Sequence, residues 1–432
     1  MTEFNEEYKK KLISLEEALE KVESNYEICV GLAGAEPTDF LNKLHIIGDN
    51  VENVSILTCL NMGDYKFTSD KSMEGSFVNS TWFYSALTRK SHDNHTASFI
   101  PNHLHLSSKK RLSYKKPDMY IGTVSKMDKH GYFSLSLSNC YEMDYIEAAD
   151  RIVLEVNENY PRVHGDTAVH ISQVDFIYES KRSVPELPTR APSAKDKVIG
   201  KYIADLIPDG ATIQLGIGGI PNAVAEFLKD KKDLGIHTEM ITDGMVDLVE
   251  CGAVNNRKKT IHRNKIVGTF ALGTKKLYDF IDDNPMIELR RGSYTNDPYI
   301  IGKNYKMVSI NTSLQIDLTG QCCSESIGIK QYSGTGGQAD TAIGAQNSEG
   351  GFSVIALYST AKKNTISTIV PMLSEGAAVS LQRNDVDYVV TEYGVAELRG
   401  RTIKERVEEL IKVSHPNFRE WLSKRAEELK IW

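Results

Sequence analysis

The chain has 432 residues, 41% apolar and 25% charged, with a formal net charge of −7. At ~100–200 residues per domain, that length implies two or three domains, and the composition is that of a globular protein with a sizeable core. The acidic balance excludes a general nucleic-acid binder, which needs a basic face to displace counterions, though a few N–H groups and one lysine can still hold a phosphate.

The N-terminus, MTEFNEEYKK, has mixed charge and does not read as a signal peptide, and no apolar run reaches the ~18–20 residues of a membrane span. Residues 14–22, SLEEALEKV, open a helix: Ser14 and Glu17 form a capping-box pattern, and Leu15, Ala18, Leu19 and Val22 make an apolar stripe. Short β-rich runs follow (EICVGLA, VSILTCL, MYIGTVS, YFSLSLS, RIVLEV), so the first half reads as α/β. Trp82, Phe83 and Tyr84 read as core. His103 and His105 alternate as two metal ligands would, but no acidic or Cys ligand is near in sequence, so no metal is expected. Six cysteines (29, 59, 140, 251, 322, 323) without CxxC spacing are too sparse for a disulfide scaffold and predict a reduced, cytoplasmic protein.

The stretch 183–195, SVPELPTRAPSAK, carries three prolines and few core formers, which predicts a domain boundary near residue 190. The second half restarts with a helix whose Val198, Ile199, Tyr202, Ile203 and Leu206 share a face. ATIQL (strand), GIGGIP (turn), NAVAEFL (helix) and IHTEM (strand) follow, a β-turn-α-β pattern that implies a parallel sheet. Near the end, Thr402 and Glu405 form a second capping box ahead of Val407, Leu410 and Ile411.

Two glycine turns stand out. In QLGIGGIP, Gly216, Gly218 and Gly219 let backbone approach a ligand closely, and Pro221 suits the first turn of the helix that follows. Such a helix start binds anions through free N–H groups. A dinucleotide fingerprint is disfavoured, because its last glycine falls at Pro221. A tight turn without ligand is the plain alternative. The second turn, YSGTGGQAD, puts three glycines in four positions. Glu239 lies in the apolar IHTEM strand, where a carboxylate is seldom left without a partner. Alone it reads as a partner for an arginine. With two glycine turns it forms a constellation, amides to hold an oxyanion or phosphate and a Glu to attack or take a proton.

These segments, GIGGIPNAV, HTEMITDG, SINTSLQIDLTGQ, SGTGGQAD and DVDYVVTEYGVAELRGRT, resemble the acetyl-CoA hydrolase/transferase family of CoA-transferases. GAEPTDFL, CLNMGDYKF, STWFYSALTRK, SFIPNHLH and HISQVDFI extend the resemblance, in order, over essentially the whole chain. It implies two open α/β-sheet domains of the CoA-transferase type, 1–190 and 191–432, with the active site between them and Glu239 in the second. The implied reaction moves CoA from a short-chain acyl-CoA, butyryl or 4-hydroxybutyryl, to acetate by ping-pong chemistry through a glutamyl-CoA thioester on Glu239. Acyl-CoA hydrolysis on the same fold is the close alternative, and a nicotinamide oxidoreductase a distant one. By motif, Gly216, Ile217, Gly218, Gly219 and Ile220 line the CoA pantetheine and thiol, with Leu314 and Gly337 beside them. Gly337 is the expected amide donor, Asn311 sits near the reacting carboxylate, and Lys362 faces the CoA phosphates with Lys363 as alternative. Ile217, Ile220 and Leu314 are suitable walls against water. Thr341 departs from the pattern, since many relatives carry Phe there. Coenzyme A enters as substrate, no tightly bound cofactor is implied, and relatives suggest a homodimer or larger assembly.

Overall fold

The parallel sheets implied by the β-turn-α-β pattern are present in a computed structural model, which describes residues 3–432. The chain forms two compact α/β units. Unit 1 takes the chain up to Pro188, then Glu239–Ile241 and Val267–Thr295; unit 2 takes Thr189–Thr238, Thr242–Ile266 and Asn296–Trp432. The chain thus first changes unit within the proline-rich stretch. Glu239, expected in a contiguous 191–432 domain, instead belongs to unit 1.

Unit 1 is built on seven strands: β1 (Glu27–Val30), β2 (Val54–Thr58), β3 (Phe77–Thr81), β4 (Ala97–Phe99), β5 (Met119–Val124), β6 (Arg151–Asn157) and β7 (Phe176–Ser180). Their order is β4-β3-β2-β1-β5-β6-β7, parallel throughout. Parallel strands are covered on both faces and read as continuous apolar runs; all six residues of β5 are buried. Trp82 is core, its ring 4.7 Å from that of Tyr141. Met240, Phe270 and Leu272 join this same apolar cluster, and Met240–Ile241 pairs in parallel with Phe270–Ala271. That burial is the physical reason why two later pieces of chain complete unit 1.

Unit 2 holds β8 (Thr212–Leu215), β9 (Gly235–Ile236), β10 (Met307–Thr312), β11 (Phe352–Ala356), β12 (Tyr388–Thr391) and β13 (Gly394–Glu397). The order is β9-β8-β10-β11-β12-β13, parallel except for the closing β12–β13 hairpin. Its helices include α1 (Ala194–Leu206), α2 (Gly219–Phe227), α3 (Asp243–Glu250), α4 (Gln338–Asn347) and α5 (Ile403–Val413). In α1 the expected apolar face is rotated: Ile199 and Ile203 are buried, but Val198 and Tyr202 are 41% and 37% exposed. Gly200 explains this, because a Cβ there would lie 2.7 Å from Ala223 Cβ and 2.8 Å from Ala223 C. α1 therefore meets α2 backbone to backbone along the Gly200 face.

Both capping boxes read from sequence are formed. Ser14 accepts from Glu17 N, Thr402 accepts from Glu405 N, and each Glu carboxylate returns to the cap backbone. Replacing Thr402 with Ala removes one such bond from α5. Urea unfolding should show a loss of about 1 kcal/mol, and an unchanged midpoint would deny the cap that role.

Candidate functional site

In each parallel sheet the chain order reverses once. In unit 1 this happens between β1 and β5, in unit 2 between β8 and β10. Loops leaving the carboxyl ends of neighbouring strands diverge at such a point and leave a crevice where ligands bind.

At the unit 2 reversal, Leu215 pairs with Ile310, so Gly216, just past β8, lies beside Asn311 near the end of β10. Gly218 has φ 118°, ψ −178°, a conformation essentially restricted to glycine, and serves as N-cap of α2. A Cβ on Gly216 or Gly218 would meet nothing within 4 Å, so both backbones border open space. Ile217 between them is 44% exposed, whereas Ile220 is buried. α4 begins beside the same edge: its N-cap is Gly337, and Gln338 Nε2 donates to Thr312 O at 2.9 Å. Leu314 is half-buried and its N–H donates to Cys323 O at 3.1 Å. Whereas α1 and α5 carry Ser and Thr caps, α2 and α4 begin on glycines without a side-chain cap. Their first-turn N–H groups thus have neither an intrahelical acceptor nor a capping side chain, the arrangement that suits a helix start to bind an anion. The structure thus brings Gly216–Ile220, Asn311, Leu314 and Gly337 to one edge of one sheet.

Asn311 is held from behind. Its Nδ2 donates to Ser309 Oγ at 2.9 Å and Thr341 Oγ1 at 3.1 Å. The hydroxyl at position 341, where the sequence departs from the family pattern, is thus an anchor for Asn311. Lys362 and Lys363 lie exposed at the tip of the hairpin Thr360–Ala361/Ile366–Ser367, in a left-handed run with Asn364 (φ 44°, 56° and 67°). A third lysine stands at the base: Lys195 Nζ lies 2.8 Å from Glu392 Oε1 and 3.2 Å from Asn364 Oδ1.

Sequence reasoning missed Lys195, Glu392, Asp196 and Tyr358. Asp196, in the first turn of α1, accepts from Tyr358 OH at 2.5 Å and from Ser193 N at 2.7 Å. Burial pushes its pKa up, but these donors outweigh it and hold the carboxyl below its usual range. It also fills the place of a side chain on Gly219, whose Cβ would fall 2.3 Å from Asp196 Oδ2. Ser193 three residues before Asp196 was a legible capping signal; the Tyr358 contact, 162 residues away, was not.

Glu239 sits apart from the regular strand expected for IHTEM. β9 ends at Ile236, His237 N still donates to Ile213 O at 3.2 Å, and the chain bends at Glu239. Ladder pairing ends there because the chain passes from unit 2 to unit 1 at the Thr238–Glu239 peptide. The Glu239 carbonyl accepts from Thr269 N (2.8 Å), Thr269 Oγ1 (2.8 Å) and Phe270 N (3.2 Å). The residue is half-buried. Its charge helps to push up the thiol pKa values of Cys59 and Cys140, after the larger effect of their burial.

Unit 1 has its own buried acid at its strand reversal. Glu36 accepts from Asn61 Nδ2 (2.8 Å), Met62 N (2.9 Å) and Tyr65 OH (2.8 Å). Burial nonetheless raises its pKa to about 8.

Family models match both ends of the chain: the acetyl-CoA hydrolase/transferase N-terminal domain over residues 1–188 and the C-terminal domain over 273–426. The chain belongs to the acetyl-CoA hydrolase/transferase family. It is 46% identical to the 4-hydroxybutyrate coenzyme A transferase of Clostridium kluyveri over 424 residues, 97% of this chain and 98% of that protein. Identity to the butyryl-CoA:acetate CoA-transferase of Anaerostipes caccae is 38% over 439 residues, 99% of this chain and 98% of the relative. Among solved structures, RipA from Yersinia pestis superposes with a TM-score of 0.94 at 36% identity, covering 100% of both chains.

Two outcomes are expected. Gly219→Ala forces a methyl onto the tethered Asp196 carboxylate and should cost about 1–3 kcal/mol of stability, read as a lowered thermal midpoint; an unchanged midpoint would show that Asp196 moves freely. For Glu36, the folded-state pKa lies above the unfolded one, so the folded protein binds the extra proton between about pH 4.5 and 8 and loses stability as pH rises through that window. Glu36→Gln removes this loss. Its unfolding free energy relative to wild type should therefore increase from pH 5 to pH 8, and a pH-independent difference would contradict the shift.

Proposed function

We propose that the protein is an acyl-CoA:carboxylate CoA-transferase acting through Glu239. The Glu239 carboxylate attacks the acyl-CoA carbonyl carbon, and the tetrahedral oxyanion collapses by expelling the CoA thiolate, leaving an acyl-glutamyl anhydride. The thiolate then attacks the Glu239 side-chain carbonyl and displaces the first carboxylic acid as its anion, leaving a glutamyl-CoA thioester. An acceptor carboxylate reverses both steps, restoring Glu239 and releasing the new acyl-CoA. A carboxylate suits this chemistry because anhydride and thioester retain the activation of the original thioester, whereas a serine ester would lose it. The reaction needs no ATP.

The observation that carries this reading is the match of nearly the whole chain to relatives named for CoA transfer, in a protein that also holds a Glu on a fixed backbone. In this reading, Gly216–Ile220 and Leu314 contact the pantetheine arm and Gly337 supplies an amide to the oxyanion. One such donor is typically worth ~10²–10³ in rate. Lys362, with Lys363 beside it, takes the CoA phosphates, and Asn311 orients the reacting carboxylate. Coenzyme A is a substrate, the donor acyl group is butyryl or 4-hydroxybutyryl, and acetate is the acceptor. The free cysteines, five of the six buried, suit a cytoplasmic protein, and a homodimer is the assembly this reading carries.

Incubation with butyryl-CoA and no acceptor, followed by intact-mass measurement, should show a borohydride-sensitive CoA adduct on Glu239. Glu239→Ala should abolish the adduct and lower transfer by about 10⁴-fold or more, while Glu239→Asp, one methylene short, should lose about 10²-fold. An unchanged mass together with full transfer by Glu239→Ala would sink the mechanism. Steady release of butyrate without acceptor, from an enzyme that does form the adduct, would instead make it a hydrolase.

A further inference from the structure

Lys259 lies in the charged run NNRKKT. In the structure its side chain is fully buried. Its ammonium donates to two backbone carbonyls, Ile236 O at 2.8 Å and Lys265 O at 2.8 Å. Its aliphatic stem lies against Gly235, where a Cβ would come within 2.5 Å of Lys259 Cγ. The N–H of Ile236 is held from the same loop, donating to Asn256 Oδ1 at 2.9 Å. Burying an amino group is costly unless its donors are satisfied, and here two of the donations go to two particular peptides.

Those two peptides are distinctive. Ile236 lies just before the Thr238–Glu239 crossing into unit 1, and Lys265 just before the Ile266–Val267 crossing. The two segments are tied again on the unit 1 side, where Thr269 N and Oγ1 and Phe270 N hold the Glu239 carbonyl. A closed ring results: Ile236 to Glu239 by covalent bonds, Glu239 to Thr269 by hydrogen bonds, Thr269 back to Lys265 by covalent bonds, and Lys265 to Ile236 through the Lys259 ammonium. Removing the Lys259 ammonium takes this donor from the Ile236 and Lys265 carbonyls, and removing the Thr269 hydroxyl leaves the Glu239 carbonyl with its two N–H donors alone.

We infer that Lys259 and Thr269 are positioning residues that fix, from the two ends of this ring, the short segment presenting Glu239. Neither needs to touch substrate. The inference rests on the reading of Glu239 as nucleophile and adds how its geometry is held. A misplacement of about 1 Å can cost on the order of 10² in rate, so loss of either tie acts on the chemical step rather than on CoA binding.

The test compares wild type, Lys259→Met and Thr269→Val in three measurements: the single-turnover rate of CoA-adduct formation at saturating butyryl-CoA, calorimetric affinity for free CoA, and amide hydrogen exchange. Lys259→Met keeps an unbranched stem without donors; Thr269→Val keeps the shape without the hydroxyl. Lys259→Met should slow adduct formation by about 10- to 100-fold per folded molecule, with CoA affinity changed less than about threefold. Exchange should quicken in peptides spanning 236–241 and 265–271. Thr269→Val should show the same pattern more weakly, and carries the test if Lys259→Met does not fold. Adduct formation at the wild-type rate in a folded variant, or a rate loss matched by an equal loss of CoA affinity, would overturn the inference. Absence of any adduct on wild type would instead overturn the nucleophile reading, and the exchange data would still decide whether Lys259 fixes the segment.

Discussion

A side chain can hold its position only if the peptide that carries it stays in place. At Glu239 that requirement is met by its own carbonyl oxygen, which accepts two N–H bonds and one hydroxyl bond from Thr269 and Phe270. Carbonyls at the end of a broken strand are otherwise left to water. Here the oxygen is saturated by the segment alongside. The small ladder Met240–Ile241/Phe270–Ala271 continues the same pairing into unit 1's apolar cluster. Fixing the backbone and burying the neighbouring side chains are therefore one structural act.

Unit 2 solves a different problem with the same economy of parts. Its sheet reversal puts two loops side by side, and its helices α2 and α4 start there on glycines. A serine or aspartate cap would satisfy those N–H groups internally and remove them from use. Glycine leaves them without a capping side chain and, at Gly218, allows a conformation that other residues adopt only with strain. The residues behind the edge, Gln214, Ser309, Thr341 and Asp196, are buried and polar, and they hydrogen-bond to one another or to neighbouring backbone. They brace the edge from behind, with Asp196 the one carboxylate among them.

Much of this was legible in the amino-acid sequence because it is local. Capping boxes span four residues, the β-turn-α-β pattern spans about thirty, and a proline-rich stretch shows itself by composition; each appears in the structure where the residues place it. The glycine turns could be located, but not the strand reversal that makes them neighbours, since strand order leaves no local mark. What escaped was non-local or disguised. Two-residue strands such as Met240–Ile241 are too short for any periodicity, so IHTEM looked like one strand. The return of residues 239–241 and 267–295 to unit 1 follows from burial of Met240, Phe270 and Leu272, which contact residues far away in sequence. Helix α1 turned a different face inward because Gly200 allowed close approach, a choice decided by α2. Lys259 was hidden by its company, since a lysine among lysines and arginines reads as surface.

The discontinuity of unit 1 bears on how the protein is made. A nascent chain exposes the first six parallel strands and then the seventh while Phe270 and Leu272 are still unsynthesised, and the apolar cluster that receives them stays open until they emerge. Halves divided at the prolines would therefore not be autonomous modules: the earlier would lack part of its own interior, and the later would carry stranded apolar segments with nowhere to bury them. Assembly of this molecule on the ribosome is accordingly sequential in synthesis but joint in completion.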